Sequence, residues 1–331
     1  MPMLRASLLL ALALLLPLHA AAWDRGKVER FATLPTGAAN PEGITVDRHG
    51  DVYVTTFAVT GTPPGRLFVF DDDGQLKREV QVAGSSNLLL GVGFHRIGAS
   101  EELLVIDFGA GRVLRVNPFS GASTVFATVT GASGLNALAF DRAGNVYISD
   151  SAQGIIWRTG PAGGAAVAWV SSPLLTTTGF PPFGANGLDF NRDESALFVA
   201  NTGNDQVIRI PVSAGAPGAP AVLANSINGA DGLFLDEHDN IWVCANQADE
   251  IVVLDPTGRV IAKLGDFDGL KNGAPDGLLF PASLVRKGDW IYVTNLSLDL
   301  RLFGLPQAVD SQWAAEVTRH TISRLRARIP R

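Results

Sequence analysis

Cysteine and histidine are scarce in this chain, with one cysteine, Cys244, and five histidines among 331 residues. A single cysteine excludes an intrachain disulfide. The sequence also lacks C-x-x-C, H-x-x-x-H and any Cys/His cluster, which argues against a zinc or iron site built from these residues. Because Cys244 lies in the apolar segment IWVCA, we expect it to be a small buried side chain of the core.

Basic residues are outnumbered, since 26 Lys and Arg face 32 Asp and Glu for a formal net charge of −6. An acidic surface argues against binding to nucleic-acid phosphates. The chain has no G-x-S-x-G nucleophile turn, no G-x-x-x-x-G-K-[ST] phosphate loop and no G-x-G-x-x-G motif opening a helix. The remaining expectation for a partner is a small-molecule substrate rather than a nucleic acid.

Long apolar runs are confined to the N-terminus. Arg5 precedes the apolar residues 8–16, and Ala20 to Ala22 form an A-x-A cleavage site before Trp23. The run is shorter than the ~20 residues that span a bilayer. We therefore predict a signal peptide at residues 1–22 and a mature domain at residues 23–331, without a membrane span, that is periplasmic or secreted.

A phrase that returns six times dominates the rest of the chain. Each copy has an apolar strand opening, a charged turn and a second strand rich in β-branched and aromatic residues. The copies occupy residues 42–56, 90–107, 136–150, 186–201, 231–246 and 276–295. A period of 45–50 residues with several short strands in each unit is typical of a β-propeller. The sequence predicts an all-β, six-bladed propeller of four-stranded antiparallel blades.

The two ends of the sequence predict how the ring closes. Residues 28–34, VERFATL, resemble the fourth strand TVFATV of the second repeat, whereas residues 321–327 have the pattern of a third strand. We expect the N-terminal strand to complete the last blade, because pairing the chain ends removes an exposed sheet edge. Two long loops, residues 171–185 and 296–318, should lie at one mouth of the tunnel, with Phe180, Phe183 and Trp313 as candidates for an apolar pocket.

The first residue of each repeat is the strongest indication of function. The first strand of a blade lines the propeller axis, so these residues should converge at one mouth of the tunnel. They are Glu42, Leu90, Asn136, Asn186, Asp231 and Asp276. Carboxylate and amide oxygens suit Ca²⁺ or another hard divalent cation. We predict that Glu42, Asn136, Asn186 and Asp231 bind Ca²⁺.

A second interpretation of the same residues remains open. Polar side chains in propeller tunnels are often solvated by ordered water. Phrases such as VDRHGDVYVTT also resemble NHL-type repeats, which serve as non-enzymatic binding platforms for a ligand or protein partner. Polar residues that end the second strands, Asp107, Asp150, Asn201 and Asn295, are expected to hydrogen-bond within the blade ends or to support the ligands.

Four short motifs resemble the SMP-30/gluconolactonase/LRE-like family of six-bladed propellers. They are NPEG at Glu42, GLNAL at Asn136, GANGLDF at Asn186 and GADGL at Asp231. The resemblance implies that these four residues hold one catalytic divalent ion, usually calcium, in an enzyme that hydrolyses a lactone or related ester. It also implies that Asp231 serves as a base. Asp276, a carboxylate not committed to the metal, is the second candidate for a catalytic base.

The sequence departs from that family in ways that bear on its substrate. Leu90 cannot bind a metal, and Asp276 adds an acid in the sixth repeat. No Arg is placed to bind a sugar-acid carboxylate, so specificity for sugar lactones is not expected to carry over.

Overall fold

The computed structural model describes residues 24–131, 133–305 and 311–330. It is a six-bladed β-propeller whose blades are four-stranded antiparallel sheets, which confirms the predicted fold. The predicted signal peptide, residues 1–22, lies outside the described residues. In the part of the chain that is described, no helix is both long and apolar enough to cross a bilayer.

The first half of the chain forms β1 and three blades. β1 is Glu29–Thr33. The strands of blade one are β2 (Pro41–Val46), β3 (Val52–Thr56), β4 (Arg66–Phe70) and β5 (Leu76–Gln81). Those of blade two are β6 (Leu89–Ile97), β7 (Ser100–Asp107), β8 (Arg112–Val116) and β9 (Ser123–Thr128). The next segments are β10 (Leu135–Phe140), β11 (Val146–Asp150), β12 (Ile155–Thr159), β13 (Gly164–Ala165) and β14 (Val167–Ser171). β13 pairs with β9, and the other four form blade three.

The second half forms three more blades. The strands of blade four are β15 (Ala185–Phe190), β16 (Ala196–Asn201), β17 (Gln206–Ser213) and β19 (Ala221–Ala224), and the two-residue segment β18 (Ala216–Pro217) pairs only with the end of β17. Those of blade five are β20 (Ala230–Leu235), β21 (Ile241–Ala245), β22 (Glu250–Leu254) and β23 (Val260–Leu264). A separate hairpin consists of β24 (Phe267–Lys271) and β25 (Ala274–Gly277). The last strands are β26 (Pro281–Lys287), β27 (Trp290–Asn295) and β28 (Thr321–Arg326).

The described residues form four helical segments, which are short and lie in the loops. Three are 3₁₀ turns at Phe108–Ala110, Pro173–Leu175 and Leu300–Phe303. The fourth, α1, is Ser311–Ala314. Two of the 3₁₀ turns follow second strands, of blades two and six, and Phe108 and Leu300 within them reach the candidate site described below.

The sixth blade contains both ends of the described chain. β1 pairs antiparallel with β28, so the sheet order is β26, β27, β28 and β1. Phe31 of β1 packs edge-on against Tyr292 of β27, with ring centroids 4.6 Å apart. This contact belongs to an apolar cluster that also contains Phe68 and Phe70 of blade one. The N-terminal strand therefore packs between the last blade and the first.

Close approach of neighbouring inner strands determines which residues fit near the axis. The third residue of each inner strand is small: Gly43, Gly91, Ala137, Gly187, Gly232 and Ser283. A Cβ atom on Gly187 would lie 2.6 Å from the carbonyl oxygen of Asp231, and one on Gly232 would lie 2.6 Å from that of Ala282. Glycine is needed because the obstacle is the backbone of the next blade, which cannot rotate away. The blades thus meet at the axis through their main chains.

Candidate metal centre

Each inner strand contains the same irregularity near its start. The register with the second strand shifts between the first and fourth residues in all six blades, for example between Pro41 and Ile44 and between Ala230 and Leu233. A shift of this kind bends the strand locally and re-aims a side chain. The second residue lies within the bend in every blade. These six residues are Glu42, Leu90, Asn136, Asn186, Asp231 and Ala282.

The prediction for blade six is wrong. Its inner strand begins at Pro281, so Ala282, not Asp276, occupies the position equivalent to Glu42. Asp276 is exposed and belongs to the hairpin strand β25. The segment APDGLLFP resembles the strand openings of other repeats, but an inserted hairpin delays the sixth strand by six residues. The structure therefore does not bring the second candidate base to the site.

The four predicted oxygen ligands line one cavity at the mouth of the tunnel. Glu42, Asn136, Asn186 and Asp231 are all buried, with 4–6% of each residue exposed. Leu90, which occupies the equivalent position in blade two, lines the same cavity and contributes an apolar side chain. The structure thus brings together residues separated by up to 189 positions in the chain.

Hydrogen bonds hold two of these side chains and leave two carboxylate oxygens unpaired. The amide nitrogen of Asn246 donates to Oδ2 of Asp231 at 2.8 Å, and that of Asn186 donates to Oγ1 of Thr202 at 3.0 Å. Oδ1 of Asp231 and Oε2 of Glu42 are buried, and no hydrogen-bond partner for either lies within residues 24–131, 133–305 and 311–330. Buried polar atoms are nearly always paired, so two unpaired anionic oxygens in one cavity require an explanation.

The electrostatics of the cavity are unfavourable for two bare carboxylates. Burial raises the pKa of Glu42 well above its usual range, and the charge of Asp231 raises it further. Burial likewise raises the pKa of Asp231, to about 7, against the lowering effect of the hydrogen bond from Asn246. Burial and these two carboxylates also raise the pKa of the Cys244 thiol, which agrees with its expected role as an unreactive core residue.

The donor set fits a hard divalent cation. No group of three or more His, Cys, Asp or Glu side chains within the described residues is arranged to hold a metal, so any ion here depends on amide oxygens as well. Two carboxylates would balance a 2+ charge, while Asn136 and Asn186 would add neutral oxygen atoms. Oxygen ligands of this kind suit Ca²⁺, and the lack of His and Cys disfavours Zn²⁺.

The polar residues that end the second strands do not line the cavity. They form hydrogen bonds at the blade ends, which is one of the two roles expected for them. Oδ2 of Asp107 accepts from Nε of Arg112 at 3.1 Å, and Oδ2 of Asp150 accepts from Nε1 of Trp157 at 3.0 Å. Asn201 donates to the carbonyl oxygen of Leu174, and Asn295 donates to the hydroxyl of Thr321. All four therefore fasten loops or strands at the blade ends.

Two polar residues that line the cavity were not predicted from the sequence. Thr202 and Asn246 each follow the last residue of the second strand, in blades four and five, and contact Asn186 and Asp231. The available signal was their position beside Asn201 and Ala245, one residue past the strand end. Their role is to orient the side chains that the sequence did identify.

The aromatic prediction is confirmed at one position of three. Phe183 lines the cavity, whereas Phe180 does not line it and packs against an apolar cluster that includes Phe57 and Leu90. Trp313 contacts Phe267 edge-on at 5.6 Å and does not line the cavity. The apolar lining that was not predicted comes mainly from residues after the second strands: Phe57, Phe108, Pro181, Phe280, Leu296, Leu298 and Leu300.

Comparison with known proteins agrees with this architecture. The family model described as SMP-30/Gluconolactonase/LRE-like region matches residues 99–265, which is half of the chain. That segment includes Asn136, Asn186 and Asp231. No curated protein sequence matches the chain.

Solved structures of similar shape cover nearly all of the chain at low identity. A luciferin-regenerating enzyme is 16% identical with a TM-score of 0.65, covering 91% of this chain and 95% of its own. A gluconolactonase from Xanthomonas campestris is 14% identical with a TM-score of 0.64, covering 92% and 95%. The calcium-binding protein regucalcin from Agrobacterium tumefaciens is 15% identical with a TM-score of 0.61, covering 89% and 93%. These likenesses establish the shared fold.

Proposed function

Because the chain belongs to the SMP-30/Gluconolactonase/LRE-like family, we propose that it is a Ca²⁺-dependent hydrolase of a lactone or related ester. The site is the cavity formed by Glu42, Asn136, Asn186 and Asp231. Structural neighbours named as a gluconolactonase and as a calcium-binding regucalcin support both parts of the proposal. Other divalent cations fit the same donor set.

One observation carries the proposal. Oε2 of Glu42 and Oδ1 of Asp231 are buried in one cavity, and neither has a hydrogen-bond partner among the described residues. Leaving a buried polar group unpaired costs about 1–3 kcal/mol, and more for a charged group. A divalent cation would offset that cost for both carboxylates at once. Water alone would solvate them but would not remove their mutual repulsion.

The proposed hydrolysis assigns a different role to each group of cavity residues. The four oxygen ligands would hold a cation, which would supply a Lewis acid next to the substrate carbonyl. Asp231 is held by Asn246 through one oxygen, which fixes the direction of the other. We assign Asp231 as the base that takes a proton from the attacking water. The hydroxyl of that water adds to the carbonyl carbon, the carbon–oxygen bond to the leaving alkoxide breaks, and Asp231 returns the proton to the alkoxide.

The test measures metal content and lactone hydrolysis on the same protein, before and after chelation. We expect about one Ca²⁺ per chain, loss of activity with chelator and recovery on adding Ca²⁺. Glu42→Gln should abolish binding, whereas Asp107→Asn, a buried acid paired with Arg112, should retain it. A chain that binds no divalent ion and hydrolyses no lactone or ester would reject the proposal in favour of a ligand-binding propeller.

We also propose that residues 1–22 direct export and are removed before Trp23. The mature protein, residues 23–331, would then act in the periplasm or outside the cell, where free Ca²⁺ is available to a site of modest affinity. Mass measurement of the chain recovered outside the cytoplasm tests this. A mass that includes residues 1–22 would reject it.

A further inference from the structure

Most of the residues that line the candidate site are apolar. Nine of the fifteen lining residues are Phe, Leu or Pro: Phe57, Leu90, Phe108, Pro181, Phe183, Phe280, Leu296, Leu298 and Leu300. No Arg, Lys or His from the described part of the chain lines the cavity. The cavity is open to solvent at its mouth, and its enclosed part measures about 40 Å³. Only the reacting end of a small organic molecule would therefore lie inside it, with the rest of the molecule at the mouth.

The polar lining offers little to a substrate rich in hydroxyls. Thr202 and Asn246 are engaged with Asn186 and Asp231. The remaining polar atoms are the four oxygen ligands that the proposed cation requires. Each hydroxyl buried against phenylalanine or leucine would lose its bonds to water without replacement, at about tenfold or more in binding.

The apolar surface continues from the cavity towards solvent. Phe57 contacts Phe108 edge-on, with centroids 5.5 Å apart, and stacks with Phe303 at 6.4 Å. Phe303 is 44% exposed, and its neighbour Leu302 is 58% exposed. An extended hydrocarbon group entering from solvent would therefore meet aromatic and aliphatic side chains along its whole path.

We infer that the substrate is an uncharged lactone or ester that carries an alkyl or aryl group, not a polyhydroxylated sugar lactone. The carbonyl lies over the oxygen ligands, and the hydrocarbon group lies against Phe57 and Phe108. This inference rests on the proposed hydrolase function. It adds that the lining of blades one, two and six selects the substrate.

The experiment compares two six-membered lactones that share the reacting ring, using the mature chain loaded with Ca²⁺. One is δ-gluconolactone and the other is a δ-lactone with an alkyl chain. We expect kcat/KM to be at least 100-fold higher for the alkyl lactone and to rise about three- to fourfold for each added methylene until the chain reaches solvent. An equal or higher kcat/KM for δ-gluconolactone would overturn the inference while leaving the hydrolase proposal intact. Hydrolysis of neither lactone, together with absent Ca²⁺ binding, would instead reject the proposed function itself.

A variant pair tests which side chains select the substrate. Phe108→Ser should raise KM for the alkyl lactone about tenfold with little change in kcat, and Phe108→Leu should restore most of the loss. Phe119→Ala is the matched control, because Phe119 is 70% exposed and contacts Arg78 away from the cavity. Equal effects of Phe108→Ser on both lactones would mean that Phe108 only supports the fold, and would overturn its assignment.

Discussion

Asp231→Asn should change the stability of this protein in opposite directions with and without calcium. The substitution removes a negative charge from a cavity that holds two buried carboxylates, and it keeps an oxygen to accept from Asn246. Without calcium, the negative charge of Asp231 destabilises the folded protein. With calcium, the same carboxylate binds the ion and stabilises the folded protein. The sign of the change therefore reports what the carboxylate does.

The calcium-free effect follows from the unpaired oxygens. Oδ1 of Asp231 has no hydrogen-bond partner in the described part of the chain, and the negative charge of Asp231 opposes ionisation of Glu42. Relieving one unpaired buried group should stabilise the calcium-free variant by about 1–3 kcal/mol. Because burial raises the carboxyl pKa, the folded state binds more protons than the unfolded state, so wild-type stability falls as pH rises. The advantage of the amide should thus appear near neutral pH and disappear at acid pH, where Asp231 is protonated in both states.

The effect in calcium follows from linkage between binding and folding. A ligand at 100 times its Kd stabilises the folded state by about 2.7 kcal/mol. At about 2–4 °C per kcal/mol, the wild-type Tm should rise by about 5–10 °C when calcium replaces chelator. Asp231→Asn should lose most of that rise.

Paired thermal unfolding in chelator and in calcium measures both effects, with Asp107→Asn as the control. Asp107 is fully buried at the same mouth, but Arg112 neutralises it. Its substitution should therefore destabilise the protein about equally in both conditions. The reasoning is refuted if Asp231→Asn destabilises the calcium-free protein as Asp107→Asn does, or if wild type shows no shift with calcium.

Three further predictions concern the scaffold. Gly187→Ala should lower the free energy of unfolding by about 1–3 kcal/mol, because the added Cβ would lie 2.5 Å from the nearest backbone nitrogen of the next blade. Gly160→Ala is the control: no atom lies within 4 Å of its Cβ position, so the free energy of unfolding should change by less than about 0.5 kcal/mol. The hydroxyl of Thr294 donates to the carbonyl oxygen of Glu42 at 2.6 Å. Thr294→Val should therefore lower the free energy of unfolding by about 1–3 kcal/mol and weaken calcium binding. Denaturant and calcium titrations that match those of wild type would contradict this. Burial lowers the pKa of His320 to about 4 from 6.5, so only the unfolded chain binds a proton between these values and stability should rise with pH across that window. Between pH 4 and pH 7 the free energy of unfolding should rise by about 3 kcal/mol less in His320→Gln than in wild type. An equal rise in the two proteins would refute the assignment of this pH dependence to His320.

The periodicity of the sequence was sufficient to predict the fold. Each repeat carries its own strand pattern and turn residues, so local information specifies a blade and repetition specifies a ring. It was also sufficient to bring Glu42, Asn136, Asn186 and Asp231 to one cavity. All four are the second residue of an inner strand, and equivalent positions in a propeller share one distance from the axis.

The sequence was misleading where one repeat contains an insertion. Asp276 begins a phrase like that at Asp231, but the hairpin β24–β25 precedes the sixth inner strand, so the equivalent residue is Ala282. Similarity of the opening residues does not reveal such a shift, because the start of the inner strand is set by its pairing with the second strand, in which Pro281 lies opposite Asn295. The apolar lining was missed for a related reason. Phe57 and Phe108 directly follow second strands, as Thr202 and Asn246 do, but the side chains at this position differ in chemistry from blade to blade, and only the folded ring shows that they face the cavity.

The same contacts that close the ring also position the ligands. The hydroxyl of Thr294 in blade six accepts from the backbone nitrogen of Ser283 and donates to the carbonyl oxygen of Glu42 in blade one. Thr55 in blade one likewise accepts from Gly43 and donates to the carbonyl oxygen of Leu90 in blade two, at 2.6 Å. The second residue of one inner strand is thus held by the blade before it. A cation bound to residues of four blades would be sensitive to each of these junctions, so loosening one blade should lower calcium affinity even when every ligand is intact.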